Sequence, residues 1–179
     1  PGAAQSSPAP AEWELQLEPR TMSHASWLAK ELMESRALGG YGNPQQVLAV
    51  ILAGREVGLG AMASLRSFYV SSDGKILTSA DLLAGQVLSS GKARYFRPIE
   101  RTPESATFET QRGDDPPFRI TYTVVEAKAA WTKGEDAWRK SNLIKTPADM
   151  CVARCKSKLA RLVYPDVVGG FYCAEEMEG

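Results

Sequence analysis

Residues 148–163 carry two stripes at helical spacing, and that double pattern restricts what the chain can become. Val152, Cys155, Leu159 and Leu162 recur at i, i+3, i+7 and i+10, which sets one apolar face. Arg154, Lys158 and Arg161 recur at i, i+4 and i+7 on a second face, turned from the first by the ~100° that each helical residue adds. Between Arg139 and Arg161 stand seven Lys or Arg and one acid, Asp149. Trp138 opens the segment, and Tyr-Pro followed by Gly169-Gly170 closes it. A basic face seated on an apolar face suits a wall that meets a polyanion and rests on a folded body.

The chain has 179 residues, 44% of them hydrophobic, which is enough for one domain with a core. The expected organisation is a flexible Pro/Ala/Ser-rich segment over 1–11 and a single domain over 12–179. The 21 basic and 21 acidic residues cancel, so only the distribution of charge informs on partners. No apolar run reaches the ~18 residues of a membrane span, and no signal peptide is visible. Three cysteines without CxxC spacing fit a reducing, cytoplasmic setting.

In chain order, residues 12–19 alternate polar and apolar (Trp13, Leu15, Leu17) and read as a short strand, in the subunit or against a neighbour. A helix over 22–38 has Trp27, Leu28, Leu32 and Leu38 as its apolar face. Asn43-Pro44 starts a second, to about residue 57, burying Val47, Leu48, Ile51 and Leu52 before Gly58-Leu59-Gly60 stops it. Two β-prone runs joined by Asp73-Gly74 predict a hairpin with positive φ at both turn residues. The spacing of Thr78 and Asp81 resembles a capping box and opens a helix to about residue 90, with Leu82, Leu83, Val87 and Leu88 inside. Strands over 93–101, 105–111 and 118–125 follow, then a short helix over 126–131. The expected fold is α+β, a small antiparallel three-stranded meander plus a β-hairpin packed with about five helices. Its open edges must be covered or paired, which makes an oligomer plausible.

No catalytic constellation stands out. His24, the only histidine, has no second signal beside it. Cys155 lies on the apolar stripe, so Cys151, Cys155 and Cys173 read as packing residues rather than metal ligands. No phosphate loop or dinucleotide fingerprint is present. Asp81, Asp114, Asp115 and Asp149 do not take a two-metal spacing. The expectation is therefore a protein that is not an enzyme and needs no cofactor and no metal. The basic stripe offers more. Other bases accompany it: Arg66 before the hairpin, Lys75 at its turn, Lys92, Arg94 and Arg97 at the start of the meander, and Arg139 and Lys140 after Trp138. Acid looks segregated to the two ends. Cations neutralise phosphates without reading sequence, and aromatics stack on any base. Trp138 is either such a stacking platform or a core residue.

The order Trp138, Pro147, Met150, Arg154, Ala160-Arg161-Leu162, Gly170-Phe171-Tyr172 and Glu175-Glu176 resembles the C-terminal half of the core of the Redβ/RecT family of phage and prophage single-strand annealing proteins. Gly54-Arg55-Glu56-Val57-Gly58-Leu59-Gly60, Ala63-Ser64-Leu65, the Tyr69 strand, Ala80-Asp81-Leu82-Leu83 and Ser90-Gly91 are similar to its upstream section. The resemblance implies binding of single-stranded DNA and ATP-independent annealing in phage-type homologous recombination. It implies a homo-oligomer, a ring or a helical filament, with DNA in a continuous basic groove in the cytoplasm of the bacterial host. Arg154 and Arg161 match the motif's basic residues; Lys158 is added by helical face, and Lys75 is a weaker candidate. Contacts to an exonuclease or to host single-strand-binding protein would run through a C-terminal domain expected to be absent or truncated here. Two other readings stay open: a metal-dependent DNA nuclease, and a protein-binding adaptor with a basic face.

Overall fold

The computed structural model describes residues 18–36, 38–71 and 73–173. The expected strand at Trp13, the flexible segment over 1–11 and the acids Glu175 and Glu176 lie outside the described residues. The chain divides into two compact units, Pro1–Arg66 and Ser67–Gly179. The architecture is α+β, with nine helices and two small sheets among the described residues. Five of the helices have seven residues or more, and four are single turns or little longer.

The first unit is helical. Helix α1 (Met22–Glu34) starts at Thr21, whose hydroxyl accepts from the His24 N–H, and ends where Arg36 takes a positive φ of 55°. It stops a turn short of the expected Leu38. Its buried residues are Ala25 and Ala29, whereas Trp27 is 54% exposed and tilts against His24 at 5.7 Å. The two alanines, one turn apart, let α2 (Pro44–Glu56) pack closely, and a tryptophan on that line would hold it off. Asn43 caps α2 by accepting from the Gln46 N–H, as its sequence signal predicts. Helix α3 (Ala61–Ser67), which has no sequence signal of its own, follows a bend of 103° from α2. The two helices come so close that a Cβ on Gly54 would lie 1.7 Å from the Ser64 Oγ, so only glycine fits there. The Glu18 carboxylate accepts from the Ala61 N–H at 2.7 Å and satisfies one free donor of α3.

The second unit opens with the hairpin β1 (Phe68–Val70) and β2 (Ile76–Thr78). Its loop is closed by Ser71 N–H donating to the Lys75 carbonyl, and Gly74 takes φ 81° while Asp73 stays at negative φ. The turn is thus longer than the two-residue type expected from Asp-Gly. Helix α4 (Ala80–Ser89) is capped by Ser79, not Thr78, because Thr78 is buried as the last residue of β2. Leu83 and Val87 are buried as expected, whereas Leu88 is 50% exposed.

The meander β3 (Ala93–Arg101), β4 (Ser105–Arg112) and β5 (Phe118–Thr123) forms a second, antiparallel sheet with β4 in the centre. Thr123 and Glu126 make a reciprocal capping box that turns the chain into α5 (Val124–Ala129), so Val124 leaves the strand two residues earlier than its alternation suggests. Short helices α6 (Glu135–Lys140) and α7 (Asn142–Lys145) lead to α8 (Pro147–Val163). After α9 (Pro165–Val168), the two-residue strand β6 (Tyr172–Cys173) pairs in parallel with β2.

Helix α8 is the middle of this unit, packed on β4, β5, α4, α7 and α9. It is buried over most of its circumference: Met150, Cys151, Arg154, Cys155, Ser157, Leu159 and Ala160. The Cys151 and Cys155 thiols donate to the Glu104 and Ala106 carbonyls at 3.6 and 3.1 Å, holding the helix onto the sheet. Leu162, expected on the apolar stripe, is 64% exposed. Small residues set this pattern, since Cys, Ser and Ala allow the closest approach of neighbouring backbones. Behind the sheet, Tyr164 is fully buried and its hydroxyl meets Thr110 Oγ1 at 2.7 Å.

Candidate nucleic-acid interface

Arg154, Lys158 and Arg161 share one side of α8, as their spacing predicts, but they stand in three different environments. Lys158 is exposed, with its ammonium 4.5 Å from the centre of the Tyr122 ring. Arg161 is half-buried and donates from Nη2 to the Phe171 carbonyl. Arg154 is only 9% exposed. Its Nε is shielded from water with no hydrogen-bond partner, and no carboxylate among the described residues pairs with it. Burial raises the Tyr122 phenol above its ordinary pKa, and the Arg154 charge beside it pulls the other way. A guanidinium whose Nε is shut off from water, with no counter-ion among the described residues, loses part of its hydration without repayment. Lys156, on the far side of the same helix, shows the usual solution: its ammonium meets Asp81 at 2.5 Å.

Most of the remaining candidates are answered by acids. Lys75 pairs with Asp73 at 2.8 Å, Lys92 with Asp166, Arg94 with Asp114, and Arg97 with Glu109 at 3.1 Å. Arg139 stands 3.8 Å from Glu135 in the preceding turn of α6. Lys140 is exposed, and so is Arg66, in the last turn of α3. The expected segregation of acid to the chain ends does not hold, because Asp73, Glu109 and Asp114 come from the middle of the sequence. Hairpin and meander cations are therefore largely neutralised within the fold, and the α8 stripe keeps its charge.

Trp138 belongs to the core. It is 6% exposed, packs with Phe108, Leu143, Met150 and Leu159, and meets Trp131 edge-on at 5.2 Å. The Lys128 ammonium lies 4.7 Å from its ring. Neither face is open to a base, which removes it as a stacking platform and makes it the post against which α6 and α8 are set.

The outer face of the meander carries a network that its sequence does not announce. Glu109, almost buried, accepts from Arg119 at 2.7 Å, from Arg97 at 3.1 Å and from the Tyr95 hydroxyl at 3.0 Å. These bonds, led by Arg119, hold its carboxyl down at about 2. Arg112 and Lys92 likewise hold Asp166 well below the usual carboxylate range, and Lys128 lowers Glu135. A depressed carboxylate stabilises the fold fully above its unfolded value, near ~4, and loses that contribution as pH falls toward its folded value. The urea midpoint is accordingly expected to be flat above pH ~5 and to fall between about 4.5 and 2. Glu109→Gln should make that acid limb shallower, as read from urea titrations across the range.

The three cysteines are buried and form no disulfide, and burial raises the Cys155 thiol to about 11, which suits packing rather than nucleophilic or metal chemistry. Among the described residues, no group of three or more His, Cys, Asp or Glu is placed to hold a metal ion. No single helix among them is long and apolar enough to cross a membrane. No protein-family model matches the chain, and no curated protein matches it.

Proposed function

We propose that this chain binds single-stranded DNA without sequence preference and anneals it to a complementary strand, without ATP, as a homo-oligomer in phage-type recombination. One observation carries the reading. Arg154 is a largely buried arginine whose Nε has no described partner and which no described acid answers, at the foot of a row completed by Lys158 and Arg161. Such a charge is retained at a cost in stability when an external anion completes it, and a phosphate fits a planar donor fork. A row of cations along one helix would hold successive phosphates and leave the bases to be tested by pairing. The order of residues that resembles the Redβ/RecT family supports this role.

Lys158 offers the cleanest test, since among the described residues its exposed ammonium makes only a ring contact. Lys158→Ala is expected to weaken binding of oligonucleotides of different sequence to the same extent. The slope of log K against log salt should fall by roughly 0.7, the loss of one phosphate contact on a single strand. Fluorescence anisotropy over a salt series reads both quantities, and an unchanged slope would take the stripe out of the mechanism. Electron micrographs with complementary strands added in turn test assembly, with rings or filaments on DNA as the expected result. Annealing should continue in chelator and without nucleotide; strand cleavage that needs magnesium would favour the nuclease reading instead.

A further inference from the structure

Strand β5 points Phe118, Ile120 and Tyr122 toward α8, and their exposure changes along the strand. Tyr122 is buried, whereas Phe118 is 45% exposed and faces Leu162, itself 64% exposed. Together with Arg112, Asp115, Pro116 and Val163 they line an open notch of about 450 Å³. Leu162 sits one helical turn beyond Lys158, about 6 Å along the axis, so the notch adjoins the end of the basic row. Arg112 is not a free cation in it: two bonds of 2.8 Å tie it to Asp166, and it also donates to the Val163 carbonyl. The apolar part of the lining is therefore an aromatic ring, an isobutyl group and a proline, open to water beside a line of positive charge. An exposed aromatic ring beside a line of cations suits a ligand that has both a flat apolar face and an anion.

We infer that the Phe118–Leu162 notch is a nucleobase-stacking subsite, taking a base of the same strand whose phosphates lie along α8. This rests on the single-stranded DNA reading above and adds the part that Trp138 cannot supply. A nucleotide matches both halves of the surface, offering a π face to Phe118 and an anion to Lys158. A purely apolar protein segment would leave the charges of Lys158 and Arg154 unanswered. Asp115, which also lines the notch, would repel a phosphate seated in it, which favours the base as its occupant.

The test uses labelled oligo(dT), an abasic strand with the same backbone, and the variants Phe118→Ala and Phe118→Tyr. Loss of one stacked base should weaken oligo(dT) binding by Phe118→Ala roughly ten- to a hundredfold, with the salt slope unchanged because no phosphate contact is lost. Phe118→Tyr should keep the affinity, and the abasic strand should bind wild type and Phe118→Ala alike. Equal oligo(dT) affinity for wild type and Phe118→Ala overturns the subsite while leaving the DNA reading intact. Failure of the wild type to bind any strand overturns both. Sedimentation without DNA gives the third arm: a Phe118→Ala protein with an altered assembly state would make the notch a contact between copies and sink the inference.

Discussion

Arg154→Met is expected to make the folded chain more stable and its binding of single-stranded DNA much weaker. The physical argument has two sides. Within the fold, Arg154 brings a charge into a nearly closed site, where its Nε has no partner and no described acid compensates it. Methionine has similar length, fills irregular space and carries no charge, so the replacement removes desolvation cost while keeping much of the packing. A gain of about 1–2 kcal/mol is expected, seen as a higher urea midpoint at unchanged m value. Toward DNA, a charge-assisted bond to phosphate contributes about 1.5–3 kcal/mol, so affinity should fall roughly ten- to a hundredfold. Arg154→Lys keeps the charge but not the fork, and should fall between the two. The opposite pattern, lower stability with unchanged binding, would make Arg154 a structural residue and leave the proposed interface without its central member.

Trp138→Ala should produce the largest loss of stability, about 3–5 kcal/mol, as for other buried large-to-small substitutions. Trp138 lies in the cluster that joins the meander to α8, with Phe108 and Tyr122 from the sheet and Met150, Cys151, Cys155 and Leu159 from the helix. Removing the indole also leaves Trp131 and Lys128 without the ring they pack on. Trp138→Phe, which keeps an aromatic ring in the space, should lose far less. DNA affinity of Trp138→Phe should equal that of the wild type once both are folded. A selective loss of binding in that variant, with the urea midpoint unmoved, would restore the stacking role.

Elements with strong local signals were legible. Asn43-Pro44 starts α2, the third strand pattern begins at Phe118, and β3 occupies Ala93–Arg101 as its pattern suggests. What periodicity could not rank was which apolar residues would be covered. Trp27 and Leu162 lost their expected places to Ala25, Ala29, Ser157 and Ala160, because small side chains decide where two helices can touch. Helix α3 escaped notice because its seven residues depend on a close approach at Gly54 and a carboxylate from Glu18. At the candidate site, helical spacing placed three cations on one side of α8 but could not separate them by environment. That separation comes from the surrounding fold: Tyr122 under Lys158, the Phe171 carbonyl at Arg161, and the packing that leaves Arg154 only 9% exposed. The acids that silence Lys92, Arg94 and Arg97 are likewise remote, and no local rule reveals them.

The parallel pairing of Leu77 with Tyr172 and Thr78 with Cys173 has a kinetic consequence. These partners stand 95 positions apart in sequence, so the hairpin sheet cannot be completed until nearly the whole unit has left the ribosome. Meander strands, by contrast, are joined by short connections and can zip as they emerge. Folding of this unit is therefore paced by its last two-residue strand, and truncation just before Tyr172 should leave a meander that forms promptly beside a hairpin that waits for a partner.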